Sequence, residues 1–252
     1  MTLAKIKPYL SVVIPAYNEH GRRGILLKNN VCEIGKYLKE RGIPHEVIIV
    51  NDGSNDDTGV VSKTYSSFVD ALMVIDRKEN KGKWYSVCEG LLLASGKFRM
   101  FTDADGATPI RELEKFLEYM KNDENIIIGS RGMKESKIEK HQPKWKEVLG
   151  VSGNILIQSM MGLHGIKDTQ CGFKVFSGEA VKKIIPQMKT TRFGGDFEML
   201  MLAKKMGYQI IEVPIVWIDS GQSLVTAKEY INTFKELFQV RSQMVLGKYT
   251  YK

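Results

Sequence analysis

Two carboxylates set one position apart carry the most chemical potential in this chain, within Thr102-Asp103-Ala104-Asp105-Gly106-Ala107-Thr108-Pro109. A short apolar run from Phe98 to Phe101, interrupted by Arg99, precedes them and reads as a buried strand. Thr108 and Pro109 read as the N-cap and first residue of a helix, because proline fits where no amide donor is needed. Asp103 and Asp105 therefore fall where a strand ends and a helix begins, the edge at which open α/β sheets hold ligands. Oxygen ligation by carboxylates suits a hard divalent cation such as Mg²⁺ or Mn²⁺. An isolated Asp-x-Asp is also an ordinary turn former, so the surrounding chain must decide between the two.

Three further strand ends deliver polar residues to the same edge. Tyr17 and Glu19 follow the run Leu10–Pro15, Asp52 and Ser54 follow Glu46–Val50, and Asn80 and Lys83 follow Ala71–Ile75. Each has a local reading as a turn or a helix N-terminal charge; their coincidence on one edge points to a site. A carboxylate such as Asp52 can accept from a base imide or a ribose hydroxyl. Lys83 and Arg131 can neutralise a diphosphate, Arg131 with a fork that suits two oxygens. A cation at Asp103 and Asp105 would bridge those phosphates and act as a Lewis acid toward a departing diphosphate. Neither a Gly-x-Gly-x-x-Gly nor a Gly-x-x-x-x-Gly-Lys-Ser/Thr segment occurs, which removes the common dinucleotide and P-loop readings.

The elements that must position these residues alternate strand and helix. Leu26, Leu27, Val31, Ile34 and Leu38 predict a helix over about 26–41, and Val60, Val61 and Tyr65 a second. A third runs from Lys83 through Leu93. The strands are apolar throughout, the pattern of a parallel sheet covered on both faces. In the second half, Ile126–Ile128 is a strand ending at Arg131, and residues 132–147 read as a charged, mobile surface loop. Val148–Leu163, 178–186 and 196–206 read as helices, and Tyr208–Val213 as a last strand stopped by Pro214. One domain over 1–252 is expected, with 222–252 a C-terminal amphipathic helical segment. Its stripe of Ala227, Tyr230, Ile231, Phe234, Leu237, Phe238 and Val245 is flanked by Lys228, Lys235 and Arg241. Such a stripe either packs on its own domain or lies on an anionic membrane.

With 43% hydrophobic and 26% charged residues the composition is that of a soluble or peripheral globular protein. No apolar run approaches the roughly 18 residues of a membrane span, and the start lacks a signal-peptide core. The net charge of +8 suits an anionic partner. Nucleic acid is set aside, because no aromatic-basic interleaving or recognition motif occurs. Cys32, Cys88 and Cys171 lie far apart without metal-ligand spacing and favour a reducing compartment.

Val12-Val13-Ile14-Pro15-Ala16-Tyr17-Asn18-Glu19, Val50-Asn51-Asp52-Gly53-Ser54 and Thr102-Asp103-Ala104-Asp105 together resemble the inverting family-2 glycosyltransferases of GT-A fold. Asp168-Thr169-Gln170-Cys171-Gly172-Phe173-Lys174 and Asp103-Ala104-Asp105-Gly106-Ala107-Thr108 resemble the dolichyl-phosphate glucosyltransferase branch, whereas the mannosyl branch typically carries Asp-Ala-Asp-Leu-Gln-His-Pro. The resemblance spans about residues 10–240. It implies a Rossmann-like, mostly parallel sheet with helices on both faces, and inverting transfer of a hexose from a nucleotide sugar to a polyprenyl phosphate. It implies that Pro15, Ala16, Tyr17, Glu19 and Asp52 line the base and ribose, with Lys83 and Ala104 also at the donor. Asp103 and Asp105 would hold Mg²⁺ or Mn²⁺ and the diphosphate, with Arg131 close by. Asp168, Gln170 and Lys174 would face the sugar or the acceptor phosphate, and Asp196 and Glu198 match a later acidic pair. If a general base is used, Asp168 is the first choice and Asp196 the second; Lys174 and Arg131 would position the acceptor. A peripheral enzyme at the cytosolic face of a membrane follows, and a homo-oligomer is compatible with it.

Two departures bear on sugar choice. After Asn80-Lys81-Gly82-Lys83 the family usually has two small residues, here Trp84 and Tyr85, and near the later acidic pair it shows bulky residues where this chain has Gly194-Gly195. Family members often carry a transmembrane anchor, and no such segment occurs here. Competing readings are a family-2 transferase acting on a saccharide hydroxyl, a mannosyl-type enzyme using GDP-mannose, a sugar-1-phosphate nucleotidyltransferase, and a protein that binds nucleotide sugar or anionic lipid without turnover. The nucleotidyltransferase usually opens with a Gly-rich basic loop, which Ala16-Tyr17-Asn18-Glu19-His20 is not.

Overall fold

The computed structural model describes residues 7–140, 144–221 and 227–251. Its centre is a run of β-branched strands, β1 (Leu10–Ala16) and β2 (His45–Asn51), paired in parallel from Leu10↔His45 to Ala16↔Asn51. β3 (Leu72–Asp76), β4 (Phe98–Thr102), β5 (Asn125–Ser130), β7 (Phe173–Ser177) and β8 (Gln209–Pro214) complete a seven-stranded sheet of order β3-β2-β1-β4-β7-β5-β8. β6 (Lys137–Lys140) and β9 (Val216–Ile218) form a separate parallel pair.

Alternation along each strand sends neighbours to opposite faces. Val12 and Ile14 meet Leu27, Val31, Ile34 and Leu38 of helix α1 (Arg22–Glu40). Full burial of each such side chain contributes about 2 kcal/mol. Val13, Ile48 and Phe101 pack on the other face with Trp84, Val87 and Leu91 of α3 (Lys83–Leu93) and Phe197 and Leu200 of α6 (Gly195–Lys205). The short helices α2 (Thr58–Ser62) and α5 (Gly178–Ile184) and the longer α4 (Lys144–Met161) and α7 (Ala227–Val245) complete the layers.

The expected mostly parallel sheet is present, with β7 antiparallel to both β4 and β5. Several finer expectations are corrected. β3 is a half-buried edge strand with Met73 exposed. Val60 and Val61 point outward on α2, where Thr58, Gly59 and Ser62 face inward. Pro109 is extended (φ −59°, ψ 140°) and precedes a 3₁₀ segment, Ile110–Lys115, in place of an α-helix. The buried Glu112 carboxylate ties that segment down, accepting from Val216 N–H at 3.1 Å and from Lys115 Nζ at 2.6 Å. Part of the segment expected as a loop is β6, whose partner β9 lies too far along the chain to be foreseen; residues 141–143 lie outside the described residues. Pro214 closes β8 from within, which an edge strand tolerates.

On α7 the expected stripe is divided. Leu237 is core and Phe234 packs half-buried against it, while Ile231, Phe238 and Val245 are exposed. Residues 222–226 of the expected C-terminal segment lie outside the described residues.

Candidate active site

The loops at the carboxyl ends of β1, β2 and β4 are laced together before any ligand is considered. Asn18, at φ 52°, donates its N–H to Ser54 Oγ at 2.8 Å and accepts from Asn55 N–H at 2.9 Å. Glu19 N–H donates to Thr58 Oγ1 at 2.8 Å. Asp52 is 3% exposed and its carboxylate is engaged three times: by Lys81 N–H and Gly82 N–H, each at 2.9 Å, and by Arg77 Nη2 at 2.7 Å. It therefore shapes the Asn80–Gly82 turn and keeps a single acceptor position for a ligand. Arg77, whose guanidinium lies 4.8 Å from the Tyr85 ring centroid, was invisible in the sequence.

These loops border a cleft of about 630 Å³. Pro15, Ala16, Tyr17, Glu19, Asp52, Lys83, Asp103, Ala104 and Asp105 all line it, as the sequence predicts. Arg23, Arg192, Phe193 and Glu229 line it too, and nothing in their spacing announced them. Glu229, from the first turn of α7, brings a buried Oε2 without a hydrogen-bond partner among the described residues.

At the floor, Asn30 Nδ2 donates to the Asp103 carbonyl at 2.9 Å, fixing the turn after β4. Lys83 Nζ lies 2.7 Å from Asp103 Oδ1. Burial alone would lower this ammonium's pKa, but Asp103 and then Asp196 raise it, so Lys83 stays charged. Asp105 accepts from Ala107 N–H at 3.1 Å and Ser220 Oγ at 3.0 Å. Burial, then the Asp103 charge, push the Asp105 carboxyl above the usual carboxylate range. Burial also raises Glu19 from 4.5 to about 7; Arg23 opposes this, and Asp105, Asp56 and Asp103 add to it. Carboxylates crowded at one point fit a divalent cation. Among the described residues no group of three His, Cys, Asp or Glu forms a ligand set. Asp103 and Asp105 are the residues that would hold such a cation.

Arg131, Asp168, Gln170, Lys174 and Asp196 do not line the cleft. They form a tier beside and beneath it. Asp168 is gripped by the Arg131 fork, Nε to Oδ2 at 2.7 Å and Nη2 to Oδ1 at 2.9 Å, and by Arg131 N–H at 2.9 Å and Gln170 N–H at 3.2 Å. Burial would raise the Asp168 carboxyl, but the Arg131 charge and hydrogen bonds take it below its ordinary value. The fully buried Lys174 ammonium donates to the Cys171 carbonyl at 2.5 Å and pairs with Asp196 Oδ1, whose other oxygen accepts from Trp84 Nε1 at 2.8 Å. Each carboxylate expected as a base is paired with a cation, Asp168 with Arg131 and Asp196 with Lys174. Glu198 is also spent internally, on the Lys189 and Thr190 amides and the hydroxyls of Thr190 and Tyr249. The two tiers meet at Gly172: a Cβ there would collide with the Asp103 carboxylate, so the motif that holds Gly172 and the motif that holds Asp103 are packed together.

This sheet order, with an Asp-x-Asp turn at the end of β4 facing a cleft at the carboxyl ends of the strands, is a GT-A-like α/β fold. The family model described as glycosyl transferase family 2 matches residues 11–185, and the chain belongs to that family. It is 33% identical over 250 residues to the dolichyl-phosphate beta-glucosyltransferase ALG5C of Trichomonas vaginalis, covering 97% of this chain and 74% of that one. It is also 33% identical over 262 residues to the dolichyl-phosphate beta-glucosyltransferase of Saccharomyces cerevisiae, covering 96% and 76%. Among solved structures, glucosyl-3-phosphoglycerate synthase of Mycobacterium tuberculosis superposes with a TM-score of 0.67 at 15% identity, covering 96% of this chain and 80% of that one. The same enzyme in complex with Mn²⁺, UDP and glucosyl-3-phosphoglycerate superposes at 0.59, over 96% and 79%.

Proposed function

We propose that the chain transfers glucose from UDP-glucose to a polyprenyl phosphate, dolichyl or undecaprenyl, with inversion at the anomeric carbon. The observation that carries this reading is the packing of Gly172 on Asp103. It unites, in one site, the two motifs that resemble the dolichyl-phosphate glucosyltransferases, and relatives of that name match nearly the whole chain.

Asp52 and Tyr17 hold the nucleoside end, with Pro15 and Ala16 as the apolar wall. Lys83 faces the diphosphate, opposing the negative charge that grows on it as the glycosidic bond breaks. Asp103 and Asp105 would hold a divalent cation, which when bound would supply Lewis-acid stabilisation of the same leaving group. An acceptor phosphate oxygen forms the new bond to the anomeric carbon from the opposite face, and UDP departs with the bonding electrons. A phosphate monoester has its second pKa near 6, so the nucleophile is ionised at neutral pH without a protein base. That agrees with Asp168 and Asp196 being committed to Arg131 and Lys174. The Arg131–Asp168 pair and Gln170 frame the acceptor side.

A polyprenyl chain stays in the bilayer, so the enzyme must reach the headgroup plane. No described helix is long and apolar enough to cross a membrane. The exposed Ile231 and Phe238 of α7 lie on a helix that packs against α4, which exposes Val151 and Ile155, with Lys228 and Lys235 exposed on α7. This surface supports peripheral attachment, and three free thiols support the reducing, cytosolic side.

Donor hydrolysis measured across UDP- and GDP-sugars, with and without polyprenyl phosphate, tests the reading. UDP-glucose consumption stimulated by the lipid phosphate is expected. Preference for GDP-mannose, or stimulation only by oligosaccharide, overturns it.

A further inference from the structure

Trp84 and Gly195, one from each of the two stretches noted above, are packed against each other. Trp84 is fully buried in the first turn of α3, and Gly195 opens α6. A Cβ on Gly195 would lie 2.2 Å from Trp84 Cγ and 2.6 Å from Trp84 Cβ, a collision with the indole. A side chain at 195 and an indole at 84 exclude one another. The large side chain at 84 and the missing one at 195 are thus complementary in volume where α3 meets α6.

The indole adds a donor that an apolar side chain at 195 would not provide. Trp84 Nε1–H donates to Asp196 Oδ2 at 2.8 Å, Asp196 Oδ1 pairs with Lys174 Nζ, and Lys174 Nζ donates to the Cys171 carbonyl at 2.5 Å. The next residue, Gly172, accepts from Asp103 N–H at 3.2 Å and bears on its carboxylate. The indole also meets Phe101 edge-on at 5.4 Å, and Phe101 lies 5.7 Å beneath Lys174 Nζ.

We propose that Trp84 is a positioning residue: its ring fills the space left by the absent side chain at residue 195, and its N–H closes a strut through Asp196, Lys174 and Cys171 that holds the 171–172 peptide against Asp103. Lys83, its neighbour, grips the same Asp103 directly. The start of α3 thereby fixes this carboxylate from two sides. The inference concerns packing and holds whatever sugar or acceptor is used.

A mutant cycle with local hydrogen exchange tests both halves. Trp84→Gly and Gly195→Phe should each lower the melting temperature by about 10 °C, one by a cavity and the other by overpacking. The double variant Trp84→Gly/Gly195→Phe should return to within a few degrees of wild type. Additive losses, or a double variant that does not fold, overturn the complementarity. Trp84→Phe keeps the ring and removes the donor. Its amides over 168–175 should exchange about ten-fold faster, while those of 27–38 in α1 stay unchanged. Wild-type exchange over 168–175 overturns the strut, because simple space filling survives this substitution. Should Trp84→Phe fail to fold, the double variant, which also lacks the donor, is read in the same way.

Discussion

Asp168→Asn separates a structural carboxylate from a catalytic base. Asp168 is 7% exposed and accepts four N–H donors, three from Arg131. The amide keeps one acceptor oxygen but removes the charge, leaving a half-buried guanidinium beside a neutral partner. Breaking a buried ion pair from one side costs about 3–5 kcal/mol. The surviving hydrogen bonds and the partial exposure of Arg131 place this case near 3 kcal/mol. For a domain of this size that lowers the melting temperature by about 6–12 °C. The pH dependence has a definite sign. The folded Asp168 pKa lies below 3.8, so its contribution is complete above about pH 4 and vanishes as pH falls through the folded value. Calorimetric melts from pH 3 to 8 should show a constant gap between wild type and Asp168→Asn above pH 5 that closes below pH 4. Arg131→Met/Asp168→Leu, which removes both charges, should recover most of the lost stability. A melting temperature unchanged within 1 °C, with turnover abolished, would refute the structural role and restore Asp168 as the base.

Asp105→Asn should leave the fold intact and reduce turnover at least a hundred-fold, and excess chelator should do the same to the wild type; full activity in chelator contradicts a metal site. Glu19→Gln should flatten a pH trend in the metal-free protein. Because the folded pKa of about 7 exceeds 4.5, wild-type stability falls relative to the variant as pH rises from 5 to 8. The gap is about 3 kcal/mol at 1.36 kcal/mol per unit, reduced to about 2 by partial solvent access, and equal slopes in chemical denaturation would refute it. Ile155→Asp/Phe238→Asp replaces two exposed side chains, so the melting temperature should move by no more than about 2 °C while co-sedimentation with anionic vesicles falls ten-fold or more. Wild-type protein that never sediments with such vesicles refutes peripheral docking.

Much of the donor side was legible because apolar strands followed by short polar turns announce themselves. Asp52, Lys83, Asp103 and Asp105 each follow such a strand, and the sheet order brings their ends together. The direction of β7 was not legible, since it is as uniformly buried as the mutually parallel strands β1 and β4. Nor was the β6–β9 pair, whose partners are separated by most of the second half of the chain. The partners of Asp168 and Asp196 were not legible for a physical reason: a sequence shows a carboxylate but not the guanidinium or ammonium that pairs with it. Arg77 and Glu229 lacked any periodic or motif signal and owe their places to tertiary packing. The stripe on α7 allowed two readings, core and surface, and the helix uses part of it for each.

The central claim is tested most directly by incubating the protein with radiolabelled UDP-glucose, a divalent cation and polyprenyl phosphate, then partitioning between organic and aqueous phases. The account predicts label in an organic-extractable product that mild acid releases as glucose, dependent on both the lipid phosphate and Asp105. Label that enters only water-soluble oligosaccharide, or appears in the organic phase without lipid phosphate, would contradict it.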